Sequence, residues 1–137
     1  MKPYIHTVQY YETDCMGITH HSNYIRWMEE ARVDFLTQVG WPLKTLEEMG
    51  VVSPVTALES RFHATTTFAD AVSIRVAVLQ CSGVRMKLAY TMAKKQGVPI
   101  AFAAWGRKNC PAICEEMRRI CDFSFDTPQE FGKFLFG

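Results

Sequence analysis

Reactive side chains are densest between residues 12 and 30, where acids, two adjacent histidines and a cysteine accompany the start of a predicted helix. The free amides at a helix N-terminus favour negative charge, and a loop held by Gly17 can turn Asp14 toward them. This combination suits acyl transfer, because the amides stabilise a developing oxyanion while Asp14 attacks the carbonyl or activates water. The residues alone leave an alternative equally open, in which Asp14 is a turn residue that accepts from a nearby amide.

Neighbouring side chains fit such chemistry less well. Cys15 is a weaker candidate for the nucleophile, because the adjacent carboxylate disfavours the reactive thiolate. Ser22 is better placed to cap the helix than to join a catalytic triad. The more distant His6 and His63 are predicted to be structural or solvated.

One amphipathic helix is predicted to begin directly after this group, at Asn23, with Ser22 or Asn23 as its cap. Gly40 fits the position just beyond the helix end, and Pro42 stops any continuation. Residues 42–49 are predicted to form a short second helix. Apolar residues at spacings of three and four make one stripe on the long helix: Ile25, Met28, Ala31, Phe35 and Val39.

The rest of the chain is mostly strand-like. Residues 4–11 predict a first strand, and four further segments follow the helices: 51–61, 71–80, 84–93 and 98–107. Tight turns between consecutive segments favour antiparallel pairing. One long helix against one antiparallel sheet is a two-layer α+β domain, and 137 residues fit a single domain, 1–137.

Composition excludes several function classes. A net charge of +1 argues against a general nucleic-acid binder. No apolar segment resembles a secretory signal or reaches the ~20 residues that span a bilayer, so we expect a cytoplasmic protein without a membrane partner. The spacing of Cys110, Cys114 and Cys121 does not match a structural zinc site, so we expect no metal and free thiols in a reducing compartment.

The segment YYETDCMGITHHSNYIRWMEEAR, residues 10–32, resembles the signature of hotdog-fold acyl-CoA thioesterases related to hydroxybenzoyl-CoA thioesterase. LESRF, residues 58–62, and the strands up to Arg107 are also similar to that family. The resemblance fades after Cys110, and the tail at 110–137 has no clear counterpart. It implies a hotdog fold, in which a curved antiparallel sheet wraps around the long helix.

The resemblance also implies roles for individual residues. Asp14 matches the catalytic carboxylate, and Gly17 matches the glycine that lets the loop approach the substrate. His21 matches the position whose backbone amide polarises the thioester carbonyl. In a second lineage of the same fold the acid lies on the central helix, which makes Glu29 or Glu30 the alternative.

Substrate contacts follow from the same resemblance. Asn23 and Tyr24 match residues that shape the acyl pocket, while Arg85, and less surely Lys87, match basic residues that bind CoA. His20 and Met16 depart from the family pattern and leave the acyl preference open. We expect a homodimer or homotetramer with active sites at the dimer interface.

The predicted reaction is hydrolysis of a thioester of CoA, or of acyl carrier protein, to a free acid, without a cofactor. Asp14 acts as nucleophile or as general base. The alternatives are a hotdog hydratase or dehydratase acting on enoyl or 3-hydroxyacyl thioesters, and a protein that binds acyl thioesters without turnover.

Overall fold

The computed structural model describes residues 2–82 and 85–94, and the backbone of 99–107. Along the chain these form β1 (Tyr4–Thr7), a single 3-10 turn (Tyr10–Glu12), α1 (His21–Gln38), α2 (Leu43–Glu48), β2 (Val55–Ser60), β3 (Ala71–Cys81), β4 (Arg85–Lys94) and β5 (Pro99–Arg107). The predicted helices and strands are therefore present, with bounds that differ by a few residues. The tail at 110–137 lies outside the described residues.

The strands form one antiparallel sheet in the order β1-β3-β4-β5-β2. Alternating apolar residues on β3 place Val72, Ile74 and Val78 in the core, as a period of two requires. β4 pairs with both β3 and β5 and holds the centre of the sheet. β2 lies at one edge, and nearly all of its side chains are exposed.

Helix α1 covers the apolar face of the sheet. Its buried side chains include Trp27, Met28 and Phe35, which belong to one core cluster with Tyr90 and other residues of β3 and β4. The predicted stripe is wrong at one position, because Ile25 is exposed and Trp27 is fully buried instead. Burial of each such large apolar side chain contributes about 1.5–3 kcal/mol to folding.

The two ends of α1 differ in how well the sequence predicted them. The helix begins at His21, two residues earlier than expected, and the imidazole of His20 caps it by accepting from the Ser22 amide at 3.3 Å. The predicted caps are wrong because Ser22 and Asn23 already lie in the first turn. Gly40, at φ +84°, follows the helix end as predicted.

The first strand is shorter than predicted. It ends at Thr7, after which the Val8 amide donates to the Asp70 carbonyl at 2.9 Å and the chain enters the 3-10 turn. Within the part of the chain that the structure describes, neither helix is long and apolar enough to cross a membrane.

Candidate active site

Asp14 lies on a narrow loop that closes on itself. A bridge between Thr13 and Thr19 pairs the two sides of the loop, and the Asp14 amide donates to the Ile18 carbonyl at 2.9 Å. Gly17 forms the turn at φ +77°, where an L side chain is strained. A Cβ atom at Gly17 would meet nothing within 4 Å in this chain, so the backbone conformation, not lack of space, requires the glycine.

The Asp14 carboxylate is half-buried, and one of its oxygens makes a contact with the loop backbone. Its Oδ1 accepts from the Met16 amide at 2.8 Å, which is the turn interaction expected of an aspartate. Within residues 2–82 and 85–94, no donor to Oδ2 is observed. One carboxylate oxygen therefore fixes the side chain to the loop.

The amide at the start of α1 belongs to His21, the first helical residue. The Asn23 amide donates to the His20 carbonyl at 3.0 Å, but no acceptor for the His21 amide is found among the described residues. The His21 imidazole is exposed and lies against two aromatic rings, with centroid distances of 4.3 Å to His20 and 6.3 Å to Phe62. Phe62 belongs to the LESRF segment, which thus lies beside the helix start.

A single carbonyl joins the Asp14 loop to the helix. The Glu12 carbonyl accepts from the His20 amide at 2.9 Å and from the Asn23 side-chain amide at 2.9 Å. The structure therefore brings the Asp14 loop and the His21 helix start together. Asn23 is buried in this joint, where its side chain holds the backbone.

The far side of the loop is held by Thr66, which is completely buried. Its carbonyl accepts from the Thr19 amide at 2.8 Å, and its hydroxyl lies 2.6 Å from the Thr19 hydroxyl. The Tyr24 hydroxyl is also hydrogen-bonded to the Thr66 hydroxyl at 2.9 Å, and the Tyr24 ring packs on Trp27 and Phe62. Thr66 was not singled out in the sequence, because nothing in its local pattern marks it.

A buried carboxylate two residues before Asp14 was also missed. Glu12 is 4% exposed and accepts from the Gln9 amide at 2.8 Å, from Trp27 Nε1 at 2.9 Å and from His6 Nε2 at 2.9 Å. Burial alone would raise the pKa of Glu12, but the hydrogen bonds from Gln9, His6 and Trp27 outweigh it and hold the pKa below its ordinary value.

His6 was predicted to be structural or solvated, and it is buried with both ring nitrogens paired. Its Nδ1 lies 3.1 Å from Glu30 Oε2, and the Tyr4 hydroxyl donates to the same oxygen at 2.9 Å. Burial, followed by the hydrogen bond and charge of Glu30, raises the pKa of Tyr4 to about 12. Glu30 thus has fixed partners on β1.

Arg85 is not near Asp14 within one chain. It begins β4, beside the end of β3 at Cys81, whereas the Asp14 loop is bridged to Thr67, before the start of β3. At ~3.3 Å per residue, the length of β3 separates these two ends by roughly 30 Å. Lys87, farther along β4, has its pKa lowered by burial, an effect that the charge of Glu59 opposes.

No group of three or more His, Cys, Asp or Glu residues suited to a metal occurs in the described ranges. Cys110, Cys114 and Cys121 lie outside them. Cys15 is an exposed free thiol, and Cys81 is buried. That the cysteines stay thiols in a reducing compartment remains a prediction.

This chain is similar to known proteins in both sequence and structure. The family model of the thioesterase-like superfamily matches residues 8–134. A 1,4-dihydroxy-2-naphthoyl-CoA hydrolase of Thermosynechococcus vestitus is 27% identical over 104 residues, covering 75% of this chain and 71% of that relative. A hypothetical protein from Thermus thermophilus has a TM-score of 0.81 at 29% identity, over 88% of this chain and 99% of that chain. A gentisyl-coenzyme A thioesterase has a TM-score of 0.78 at 26% identity, over 84% and 98%.

Proposed function

Because this chain belongs to the thioesterase-like superfamily, we propose that it hydrolyses an acyl-CoA thioester to a free carboxylic acid and CoA, with Asp14 as the catalytic carboxylate. The chain has the hotdog fold and is a thioester hydrolase, as its resemblance to that family implied. Support for the CoA carrier comes from the two relatives named as acting on CoA thioesters. A cytoplasmic location stays a prediction.

The observation that carries the proposal is the joint between the Asp14 loop and the start of α1. The Glu12 carbonyl accepts from the His20 amide at 2.9 Å, so the Asp14 carboxylate and the His21 amide, for which no acceptor is found among the described residues, belong to one small structure. The His21 amide would donate to the thioester carbonyl oxygen. An oxyanion donor of this kind raises kcat by a factor of about 10²–10³.

Asp14 has two routes to the thioester carbon. As a nucleophile, its carboxylate attacks the carbonyl carbon, the CoA thiolate leaves and takes up a proton, and water hydrolyses the resulting anhydride. As a general base, it takes a proton from water while the hydroxide attacks, and the thiolate again leaves and is protonated. The products are the same acid and CoA.

A second copy of the chain is expected to complete the site. β2 is an edge strand with exposed apolar side chains, Val55 at 49% and Leu58 at 38%. Unpaired edges of this kind favour pairing with another strand. We propose a homodimer in which β2 pairs with its own copy across a two-fold axis, and dimers that can associate further into a homotetramer.

Such a dimer also gives Arg85 a role. A two-fold axis through the paired β2 strands reverses the strand direction in the second subunit. In the dimer, the strand ends that carry Arg85 of the second subunit then lie on the same side of the sheet as the Asp14 loop of the first subunit. The length of β3, which separates the two sites by roughly 30 Å within one chain, therefore does not separate them between subunits. In this dimer Arg85 binds CoA from across the interface.

The activity is tested with a panel of aliphatic and aromatic acyl-CoAs and an acyl carrier protein thioester. Because Cys15 is an exposed thiol that would add to the signal of a thiol reagent, released CoA is quantified by chromatography. We expect CoA release that depends on the enzyme. Loss of the enoyl absorbance of crotonyl-CoA without CoA release would support a hydratase instead. Binding of CoA esters without release at any chain length would support a non-catalytic protein.

A further inference from the structure

The buried Glu12 carboxylate collects donors from three parts of the fold. His6 reaches it from β1, the Gln9 amide from the connecting turn, and Trp27 from α1, all within 2.9 Å. Buried carboxylates are costly unless their oxygens are fully paired. The position of Glu12 is therefore fixed relative to β1 and α1 together.

The backbone carbonyl of Glu12 is hydrogen-bonded to the start of α1. The Glu12 carbonyl accepts from the His20 amide and from the Asn23 side chain, both at 2.9 Å. Asn23 and Trp27 are four residues apart on one face of α1, so carbonyl and carboxylate hold successive turns of that face. Any displacement of Glu12 moves the loop that begins at Thr13, and Asp14 with it.

His6 fixes the carboxylate from the other side. Its ring lies on Trp27 with a centroid distance of 4.4 Å, and its two nitrogens face Glu12 Oε2 at 2.9 Å and Glu30 Oε2 at 3.1 Å. The ring is thus held by α1 at two residues, Trp27 and Glu30. It has little freedom to release Glu12.

We propose that Glu12 and His6 are positioning residues for the hydrolysis, which set the distance from the Asp14 carboxylate to the His21 amide without touching the substrate. This inference rests on the proposed role of Asp14. A group that acts through Asp14 loses its effect when Asp14 is absent, whereas a merely structural group does not.

The first test is a double-mutant cycle of Glu12→Gln and Asp14→Asn, measured on protein shown to be folded by circular dichroism. Glu12→Gln alone is expected to lower kcat about 10–100-fold with little change in KM, because a ~1 Å displacement costs up to about 10²-fold. In the Asp14→Asn background the same substitution should leave the residual rate unchanged. An equal loss in both backgrounds would overturn the positioning role.

The second test uses two His6 variants that share the loss of the ring. The amide nitrogen of glutamine reaches the position of Nε2, and that of asparagine reaches the position of Nδ1. His6→Gln should therefore keep the hydrogen bond to Glu12 and retain most of kcat. His6→Asn should keep only the hydrogen bond to Glu30, and its kcat should fall by as much as that of Glu12→Gln. Equal kcat values for the two variants would contradict the proposal.

A readout without turnover separates this inference from the proposed function. Amide NMR shifts of Glu12→Gln should change at Asp14, Gly17 and His21 and stay the same along the β3–β4 hairpin. Unchanged shifts in the Asp14 loop would overturn the positioning role even in an active enzyme. If the wild-type chain releases no CoA from any thioester, the proposed function fails and a role in hydrolysis fails with it, whatever the shifts.

Discussion

Replacing Glu12 by glutamine should destabilise the protein in a pH-dependent way. The carboxylate accepts three hydrogen bonds while 4% exposed. A glutamine has one acceptor oxygen and turns an NH₂ group toward the remaining donors. It can therefore keep the bond from Trp27 or those from Gln9 and His6, but not all three. Hydrogen bonds to a charged group contribute about 1.5–3 kcal/mol each, and such losses are not additive, so we expect about 2–4 kcal/mol at pH 7.

The sign of the pH dependence follows from the lowered pKa of Glu12. A carboxylate with a depressed pKa contributes stability above its ordinary value, 4.5, and loses it as pH falls through the folded-state pKa. The difference between wild type and Glu12→Gln should therefore be largest at neutral pH and shrink below about pH 4.5. Urea unfolding at a fixed protein concentration measures it at pH 7 and in steps down to pH 3. A difference below about 0.5 kcal/mol at pH 7, or one that is independent of pH, would refute the reasoning.

Three further predictions concern separate parts of the fold. Gly17→Ala should cost about 1–2 kcal/mol and lower kcat, while Gly50→Ala, at a similar φ of +76°, should cost as much stability but leave kcat unchanged; equal kcat for both would contradict the role of the loop. Tyr4→Phe should flatten the loss of stability between pH 10 and about 12, because wild-type Tyr4 stays protonated in the fold up to its raised pKa; parallel alkaline unfolding curves would refute this. Leu58→Asp on β2 should yield monomers in sedimentation experiments; an unchanged oligomer would exclude the β2 edge as the interface.

The sequence was sufficient for the elements but not for every contact between them. Periodicity predicted α1 and the β3–β4 hairpin, because a buried face imposes a period of 3.6 or 2 on any chain. It placed Ile25 in the core instead of Trp27, since both lie near the edge of the apolar stripe. The choice between them depends on which way the helix is rotated against the sheet, a tertiary property.

The candidate site was predicted unevenly for a similar reason. Asp14, Gly17 and His21 are close in sequence, and a tight loop is enough to bring them together. Glu12 lies in the same segment, but only its three donors on separate elements distinguish it from a solvated acid. Arg85 required the strand order, because β3 separates it from the loop by its full length.

The most direct test of the central claim is the rate of CoA release by Asp14→Asn on the best substrate of the acyl-CoA panel. Asp34→Asn is the matched control, since Asp34 lies on α1, outside the Asp14 loop, and its carboxylate accepts only from Gln38 among the described hydrogen bonds. If Asp14 is the catalytic carboxylate, kcat falls at least about a hundredfold in Asp14→Asn and stays at the wild-type value in Asp34→Asn. A folded Asp14→Asn variant that keeps most of the wild-type rate would contradict the claim and direct attention to Glu29 or Glu30.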